Sequence, residues 1–289
     1  MACGTQAKIK GEPQTGRYLD FCRRWDPQDI LYLKWAGFMD YIALGKSNLL
    51  VSRVGFGAMS LNEIDTDENA AILIHKAYDA GINFFDISHS VSESEKRLGA
   101  CLSGIRQHVI LATKSEASTK KELLLDLDES LYALQTDYVD LFQYDFSNDT
   151  YLDFKEMKNA FDLLRERGKV KHFGFSTQSL EMAKKALEND FFEIIQYPFN
   201  VLTGKEVLEL IELCQKKDVG FIAMKPLYGG LVQNIPLAEG FFHQYENVVP
   251  VWGVRTIDEL NQILYFNSHP PVIDEKFIEE VNRVRMFFN

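Results

Sequence analysis

The chain has few cysteines and no long apolar run, and both absences exclude classes of protein. Its 289 residues hold four cysteines that never form a CxxC pair: Cys3, Cys22, Cys101 and Cys214. This spacing argues against a zinc site, an iron–sulfur site and a disulfide framework, and predicts a metal-free protein of the reducing cytoplasm. No apolar run approaches the about 20 residues of a bilayer span, and the N-terminus lacks a signal peptide's apolar region. We therefore expect no membrane association.

Positive charge is also scarce. Lysine and arginine total 31 against 42 acidic residues, which gives a net charge of −11 without any local Lys/Arg cluster. Such a chain repels polyanions, so we expect no nucleic-acid partner. A small anionic cofactor remains possible, because a few well-placed cations can define one pocket.

Several common nucleotide-binding and catalytic motifs are missing. The run Gly55-Phe56-Gly57-Ala58-Met59 lacks the third glycine of the dinucleotide-binding fingerprint. The chain has no Walker loop, no HExxH and no GxSxG elbow. These absences argue against a doubly wound sheet with the usual Gly-rich loop.

What the chain does contain is a regular alternation of strand-like and helix-like segments. Strand composition occurs in eight short runs: Val54–Met59, Asn83–Ile87, Val109–Lys114, Val139–Asp145, His172–Thr177, Glu193–Pro198, Gly220–Pro226 and Val248–Val254. Strands separated by helices predict right-handed βαβ units and a parallel sheet. We predict a single (β/α)8 TIM barrel over residues 39–289, with residues 1–38 as an N-terminal extension.

The helix-like segments carry N-capping signals. Three pairs have the spacing of a capping box: Asp65 with Glu68, Thr119 with Glu122, and Thr203 with Glu206. Residues 229–247 form the only long interval without a clear helix. The connections elsewhere are therefore predicted to be helical.

Three predicted strands end in a charged residue. Asp86, Lys114 and Asp145 each follow an apolar run, and an isolated charge there is expensive to bury. At the carboxyl mouth of a barrel the three side chains would converge on one cavity, where such folds place their chemistry. We expect a shared functional site, although each residue taken alone could simply cap its strand.

Several longer motifs together resemble those of a known protein family and occur in the same order. These motifs are GKSNLLVSRVGFGAM, AYDAGINFFDIS, SESEKRLG, VILATK, LDESLYALQTDYVDLFQ, RERGKVKHFGFS, IIQYPFN and AMKPLYGG. They resemble successive signatures of the aldo/keto reductase family, and AMKPLYGG is similar to the branch with an MKPLxGG loop. The resemblance implies a barrel that binds NADP(H) without a Rossmann motif and transfers hydride to a carbonyl.

The family's catalytic set is Asp, Tyr, Lys and His, and this chain matches only half of it. Asp86 and Lys114 occupy the Asp and Lys positions, whereas Val91 stands at the Tyr position and Asp145 at the His position. Valine cannot donate a proton. The resemblance therefore leaves Asp145 as one candidate acid. His89, on the loop near the missing tyrosine, is a second candidate, with a solvated loop histidine as the simpler interpretation.

The resemblance also implies a set of cofactor-binding residues. Ser176, Thr177 and Gln196 match the positions that hold the nicotinamide carboxamide, with threonine in place of the family's asparagine. Arg255 and Thr256 match the segment that grips the 2′-phosphate, although a surface ion pair explains Arg255 equally well. The Glu-Asn pair expected at the adenine is replaced by Gln262-Ile263. The remaining matches lie in the pyrophosphate loop: Lys225, Leu227, Gly229 and Gly230.

Three hypotheses follow for function. The first is an NADP-dependent oxidoreductase of carbonyl or enone substrates with altered acid chemistry. The second is a barrel that binds NADPH without turnover, and the third is an inactive scaffold that uses residues 1–38 as a docking arm. The retained Asp86–Lys114 pair beside a Gly-Gly loop favours the first. The residues do not specify the substrate or the oligomeric state.

Overall fold

A computed structural model describes residues 39–147 and 153–288. Eight parallel strands close a barrel, which confirms the predicted TIM barrel. The barrel strands are β3 Gly55–Gly57, β4 Phe84–Asp86, β5 Ile110–Ser115, β6 Val139–Phe146, β7 Val170–Thr177, β8 Ile194–Pro198, β9 Gly220–Met224 and β10 Val248–Gly253. They follow one another around the barrel in chain order, and β10 pairs with β3 to close it. The predicted extension, residues 1–38, lies outside the described residues.

Helices follow the strands and form the outer layer of the barrel. In the described part of the chain they are α1 Asp67–Asp79, α2 Ser92–Leu102, α3 Lys120–Ala133, α4 Phe154–Glu166, α5 Leu180–Leu187, α6 Lys205–Lys216, α7 Ile235–Phe242, α8 Ile257–Ser268 and α9 Glu275–Phe288. Across residues 39–147 and 153–288, none of these helices has the length and apolar character to cross a bilayer.

The capping signals succeed in one case and fail in two. Thr119 and Glu122 form the predicted reciprocal capping box at the start of α3. The cap of α1 is Thr66 rather than Asp65, because the Thr66 side chain accepts the Asn69 amide. The cap of α6 is Gly204, because the Thr203 hydroxyl accepts the Asn200 amide instead.

The interval predicted to lack a helix contains α7. Asn234 caps it by accepting the Leu237 amide, and a proline stands in its first turn. Nearly every residue of α7 is buried, so the helix has no polar face and gives no amphipathic pattern. The expectation for residues 229–247 was therefore wrong.

The two-residue period of the strands divides the core in two. One buried cluster fills the barrel interior and includes Phe84, Ala112, Leu141, Ile194, Ile222 and Val249. The other cluster lies between strands and helices and contains the alternate residues, such as Phe85 and Phe142. Side chains two residues beyond the interior cluster therefore also face inward, at the carboxyl ends of the strands.

A hairpin that the sequence did not predict closes the amino end of the barrel. Strands β1 Tyr41–Ala43 and β2 Leu50–Ser52 pair antiparallel, and Leu44 and Val51 join the interior cluster. Gly45 has φ 51°, and a Cβ there would lie 2.4 Å from the Asp218 carbonyl oxygen. Only glycine fits this contact, so the hairpin turn is held tightly against the loop before β9.

The outer layer contains one buried carboxyl with little compensation. Burial raises the pKa of Glu239 in α7 to about 8, and the Arg53 cation only partly opposes this shift. Its Oε1 has no hydrogen-bond partner among the described residues, and its Oε2 lies 3.9 Å from His243 Nε2. The folded protein therefore favours the protonated form of Glu239.

This burial makes stability depend on pH. Between about pH 4.5 and 8 the folded chain keeps the Glu239 proton while the unfolded chain loses it, so stability falls as pH rises through this window. Glu239→Gln has no proton to lose. At about pH 8.5 we expect its free energy of unfolding to exceed that of wild type by on the order of a few kcal/mol, so that it unfolds at a higher temperature. At about pH 5 the two proteins should unfold at nearly the same temperature. Thermal melts at both pH values measure the effect. Glu246→Gln, at an exposed position nearby, is the control, and an equal shift at both pH values would contradict the prediction.

Candidate active site

Strand alternation directs a ring of polar side chains into the carboxyl end of the barrel. Asp86, Lys114 and Gln196 each come two residues after a member of the interior cluster, and all three are buried. In the register of the sheet, Lys114 is opposite Gln143 and Gln143 is opposite Gly174. The barrel interior therefore changes from apolar to polar over two residues of each strand, which is one repeat of the pleat.

Asp86 and Lys114 form the central ion pair of this ring. Lys114 Nζ lies 2.7 Å from Asp86 Oδ2 and donates a second hydrogen bond to the Ile87 carbonyl at 2.9 Å. Both side chains are almost fully buried. Removal of either partner would leave an uncompensated charge in a low-dielectric interior, so the two residues depend on each other.

Gln143 connects this ion pair to Gln196. Its Nε2 donates to Asp86 Oδ1 at 3.2 Å and to Gln196 Oε1 at 3.3 Å. Strand alternation puts Gln143 on the same face as Leu141 and Asp145, but Gln143 was not among the predicted site residues. The sequence signal that could have identified it is a glutamine between two aromatic residues, on the face of a predicted site residue; in the structure it is fully buried.

Asp145 lies at the same end of the barrel and differs in its environment. Its Oδ1 accepts a hydrogen bond from the Ser176 hydroxyl at 3.0 Å. Burial raises the pKa of the Asp145 carboxyl above its usual value, while Lys114 and the Ser176 hydrogen bond lower it by less. The neutral, protonated form of Asp145 therefore forms more easily than it would if Lys114 were the main influence on its pKa.

A cavity of about 750 Å³ opens above the ion pair. Val91 lines it together with Asp86 and Lys114, so the position of the family's proton donor does face the cavity. Eight of the predicted site residues are in its wall: Asp86, Lys114, Gln196, Lys225, Leu227, Gly229, Gly230 and Arg255.

The other predicted site residues are outside this wall. His89 points to helix α3, where its Nδ1 lies 3.2 Å from the Ser130 hydroxyl and its Nε2 3.6 Å from Asp126. The Thr177 hydroxyl accepts the Ser179 amide, and the Thr256 hydroxyl caps α8 by accepting the Glu259 amide. Asp145 and Ser176 are hydrogen-bonded to each other and do not line the cavity.

The loop after β9 exposes its backbone to the cavity. Lys225, Tyr228, Gly229 and Gly230 all have positive φ, between 49° and 91°. A Cβ at Gly229 or Gly230 would meet nothing within 4 Å, so open space lies beside both residues. Asn200 Nδ2 donates to the Lys225 carbonyl at 3.0 Å and fixes the start of the loop. Such a turn presents backbone amides to an anion.

The buried wall also contains an unsatisfied donor. Gln196 Nε2 has no hydrogen-bond partner among the described residues, although it is fully buried. A buried amide donor without a partner is costly, and it is usually satisfied by a ligand or by water. Gln196 therefore fits the role of holding a carboxamide.

The outer end of the cavity contains an ion pair. Arg255 Nε lies 2.7 Å from Glu63 Oε2, and both side chains are about half exposed. Arg255 also donates its backbone amide to Glu259 Oε2 at 2.7 Å. The guanidinium thus faces the cavity, as the resemblance implies, and also forms the ion pair of the simpler interpretation.

Comparison with known proteins identifies sequence relatives of this chain. The model of the aldo/keto reductase family matches residues 53–240. L-galactose dehydrogenase of Arabidopsis thaliana is 30% identical over an alignment of 210 residues, which covers 66% of this chain and 66% of the plant protein. L-glyceraldehyde 3-phosphate reductase of Escherichia coli (strain K12) is 27% identical over an alignment of 221 residues, which covers 68% of this chain and 64% of that protein.

The fold has solved counterparts as well. An aldo-keto reductase from Bacillus halodurans, in its holo form, aligns with a TM-score of 0.75 at 22% sequence identity. The alignment covers 85% of this chain and 96% of that one. At this identity the likeness establishes the shared barrel.

The contact between Gly174 and Gln143 gives a test of the polar ring. A Cβ at Gly174 would lie 2.9 Å from Gln143 Cγ and 3.2 Å from its Oε1. Gly174→Ala should therefore displace Gln143 and lower the free energy of unfolding by about 1–3 kcal/mol, the usual range for overpacking. Chemical denaturation measures the change. Gly104→Ala is the control, because a Cβ there meets nothing within 4 Å; equal effects of the two variants would show that Gln143 is not tightly held.

Proposed function

The chain belongs to the aldo/keto reductase family of oxidoreductases, and from this premise we propose that it is an NADP(H)-dependent reductase of small carbonyl or enone compounds with an altered acid. The observation that carries the proposal is the cavity itself. It brings the buried Asp86–Lys114 pair, the unsatisfied Gln196 amide and the open Gly229-Gly230 turn to one mouth of the barrel.

The cofactor would extend along this cavity. Gln196, with Ser176 and Thr177 beside it, would hold the carboxamide of a nicotinamide, which when bound supplies or accepts the hydride. The backbone of residues 225–230 would hold the pyrophosphate, because its left-handed turn leaves room for close approach. Arg255 would bind the 2′-phosphate with its forked donors, and Thr256 would keep α8 in position beside it.

The catalytic proton is where this chain departs from its family. Val91 faces the cavity without a proton to give, and His89 points to α3 instead. Asp145 is the remaining candidate acid: it does not line the cavity itself, but it is opposite Ser176, which is opposite the lining residue Gln196. Burial raises its pKa, and the Ser176 hydroxyl orients one of its oxygens. A neutral Asp145 would polarise the substrate oxygen, and the Asp86-bound Lys114 would stabilise negative charge that develops there.

The substrate proposal stays at the level of a small carbonyl compound. The two relatives described above are named for their substrates, a sugar in one case and a phosphorylated hydroxy-aldehyde in the other. The cavity wall here includes apolar side chains at Val91, Leu227 and Val232, which suits a less polar carbonyl or an enone. The buried free thiols of Cys101 and Cys214 suit the reducing cytoplasm that the sequence predicts.

A second candidate function is a barrel that binds NADPH without turnover. The observation that favours it is Val91, an apolar side chain in the cavity wall beside the ion pair that normally activates a tyrosine. In that case the cofactor site would be intact and the chemistry absent. Binding and turnover must therefore be measured separately.

The cofactor is tested by removing the cation. We expect NADPH to bind more tightly than NADH, and Arg255→Ala to weaken NADPH binding by about 1.5–3 kcal/mol, the scale of a hydrogen bond to a charged group. NADH binding should change little, because NADH has no 2′-phosphate. Titration calorimetry of wild type and variant with both nucleotides measures this. Arg283→Ala, at an exposed position on α9, is the control for lost positive charge; absence of binding by either nucleotide would favour the scaffold hypothesis.

The chemistry is tested by restoring the family's acid. We expect wild type to reduce simple aldehydes very slowly, because a positioned general acid contributes roughly 10²–10⁴ in rate. The double variant Val91→Tyr with Asp145→His supplies the hydroxyl and the imidazole, and should raise kcat/KM for a simple aldehyde by at least about tenfold. Steady-state assays with NADPH measure the gain.

The matched control for this variant is Val91→Phe with Asp145→His, which has the ring but no hydroxyl. Equal rates for the Tyr and Phe variants would show that the hydroxyl is not used. Fast aldehyde reduction by wild type would show that Val91 does not limit the reaction. A double variant that binds NADPH but stays inactive would support the binding protein without turnover.

A further inference from the structure

Glu63 and Arg255 are joined across the outer end of the cavity. Glu63 ends the short 3-10 helix Met59–Glu63 after β3, and Arg255 precedes α8, so the pair links the first and last barrel strands. Arg255 Nε donates to Glu63 Oε2 at 2.7 Å, and both residues line the cavity. No local sequence pattern indicates this contact, because the two residues are 192 positions apart.

Arg255 is the cation that remains for an anion at this end. Among the described lining residues the other cations are Lys114, which is bound to Asp86, and Lys225, whose Nζ donates to Gln178 Oε1 at 2.7 Å. The outer end also contains a second carboxylate, Glu259, which accepts the Arg255 amide. The Arg255 guanidinium is thus paired with Glu63, while the Arg255 backbone amide is bound by Glu259.

We infer that Glu63 is a specificity-determining residue that competes with the 2′-phosphate of NADP(H) for Arg255. The inference rests on the proposed cofactor site. When Glu63 holds the guanidinium, Nε is engaged and the fork is only partly available to a phosphate. To bind, NADP(H) must displace the Glu63 carboxylate from Arg255, and its dianionic 2′-phosphate then lies near that carboxylate. NAD(H) has no 2′-phosphate and leaves the Glu63–Arg255 ion pair intact.

The magnitude of this competition follows from exposure. Both side chains are about half exposed, and an ion pair of this kind is weak enough for a phosphate to displace. The apparent affinity for NADP(H) is the intrinsic affinity multiplied by the fraction of molecules in which Arg255 is free, so pairing with Glu63 lowers it. Glu63 therefore narrows the preference for NADP(H) over NAD(H) without changing the contacts of the nicotinamide.

The test is Glu63→Gln, which keeps the side-chain length and removes the charge. By titration calorimetry we expect NADPH and 2′,5′-ADP to bind about three- to tenfold more tightly than to wild type, since both the ion pair and the repulsion are lost. NADH and 5′-AMP should change by less than about twofold, because neither has a 2′-phosphate. The two adenosine probes report on this end of the cavity without any nicotinamide or turnover.

Two controls separate direct competition from a general effect of charge. Asp65→Asn removes the same charge at an exposed position outside the cavity wall, and should leave all four affinities unchanged. In an Arg255→Gln background, Glu63→Gln should tighten NADPH by clearly less than it does with Arg255 present, because only the repulsion between Glu63 and the phosphate is then left to remove. A full gain in that background would mean that Glu63 acts by repulsion alone and would overturn the competition.

The remaining outcomes distinguish this inference from the proposed function. If wild type binds NADPH and Glu63→Gln leaves the NADPH-to-NADH affinity ratio unchanged, Glu63 has no role in specificity and the proposed function still holds. If NADH tightens as much as NADPH, Glu63 controls access and not phosphate recognition, which also overturns the inference. Absence of binding by all four probes to every variant would overturn both.

Discussion

Closure of the barrel leaves each strand residue only two directions, inward or toward the helices, and the site depends on this constraint. Inside the barrel, the inward-facing side chains are apolar as far as the layer that contains Phe84, Ala112 and Ile194. Two residues later they are Asp86, Lys114 and Gln196. Charged groups can be buried there because they satisfy one another: Lys114 binds Asp86, and Gln143 connects Asp86 to Gln196. Chemistry at this mouth is thus a direct product of strand period and register.

The same constraint explains how much could be predicted from the sequence. Each of the eight predicted runs contains or overlaps a barrel strand, because each is a short run of strand-forming residues separated from the next by a mostly helical segment. The hairpin before β3 was missed, because its two strands pair antiparallel across a short turn and so fall outside the alternation of strands and helices. Helix α7 was missed because it is buried on nearly every face. Thr203 shows that capping-box spacing alone does not fix a helix start.

Prediction of the site was limited in a different way. Asp86 and Lys114 were accessible from sequence because a strand fixes the direction of a side chain. The direction of His89 was not, because it lies on a loop whose short 3-10 turn aims the ring at Ser130. For Asp145 the sequence showed the nearby cation but not the burial, and burial has the larger effect on its pKa. The contact of Glu63 with Arg255 depends on closure of the whole barrel and has no local signature.

Pairing of the first barrel strand with the last has a consequence in time. β3 pairs with β10 through Gly55, Phe56 and Gly57, so on a growing chain β3 keeps one open edge until residues near 253 have been made. An open edge can pair with another chain and lead to aggregation. β3 is a poor template for such pairing, because it is three residues long and two of them are glycines. The two glycines at this seam thus make β3 a weak edge for pairing with another chain during the interval before the barrel can close.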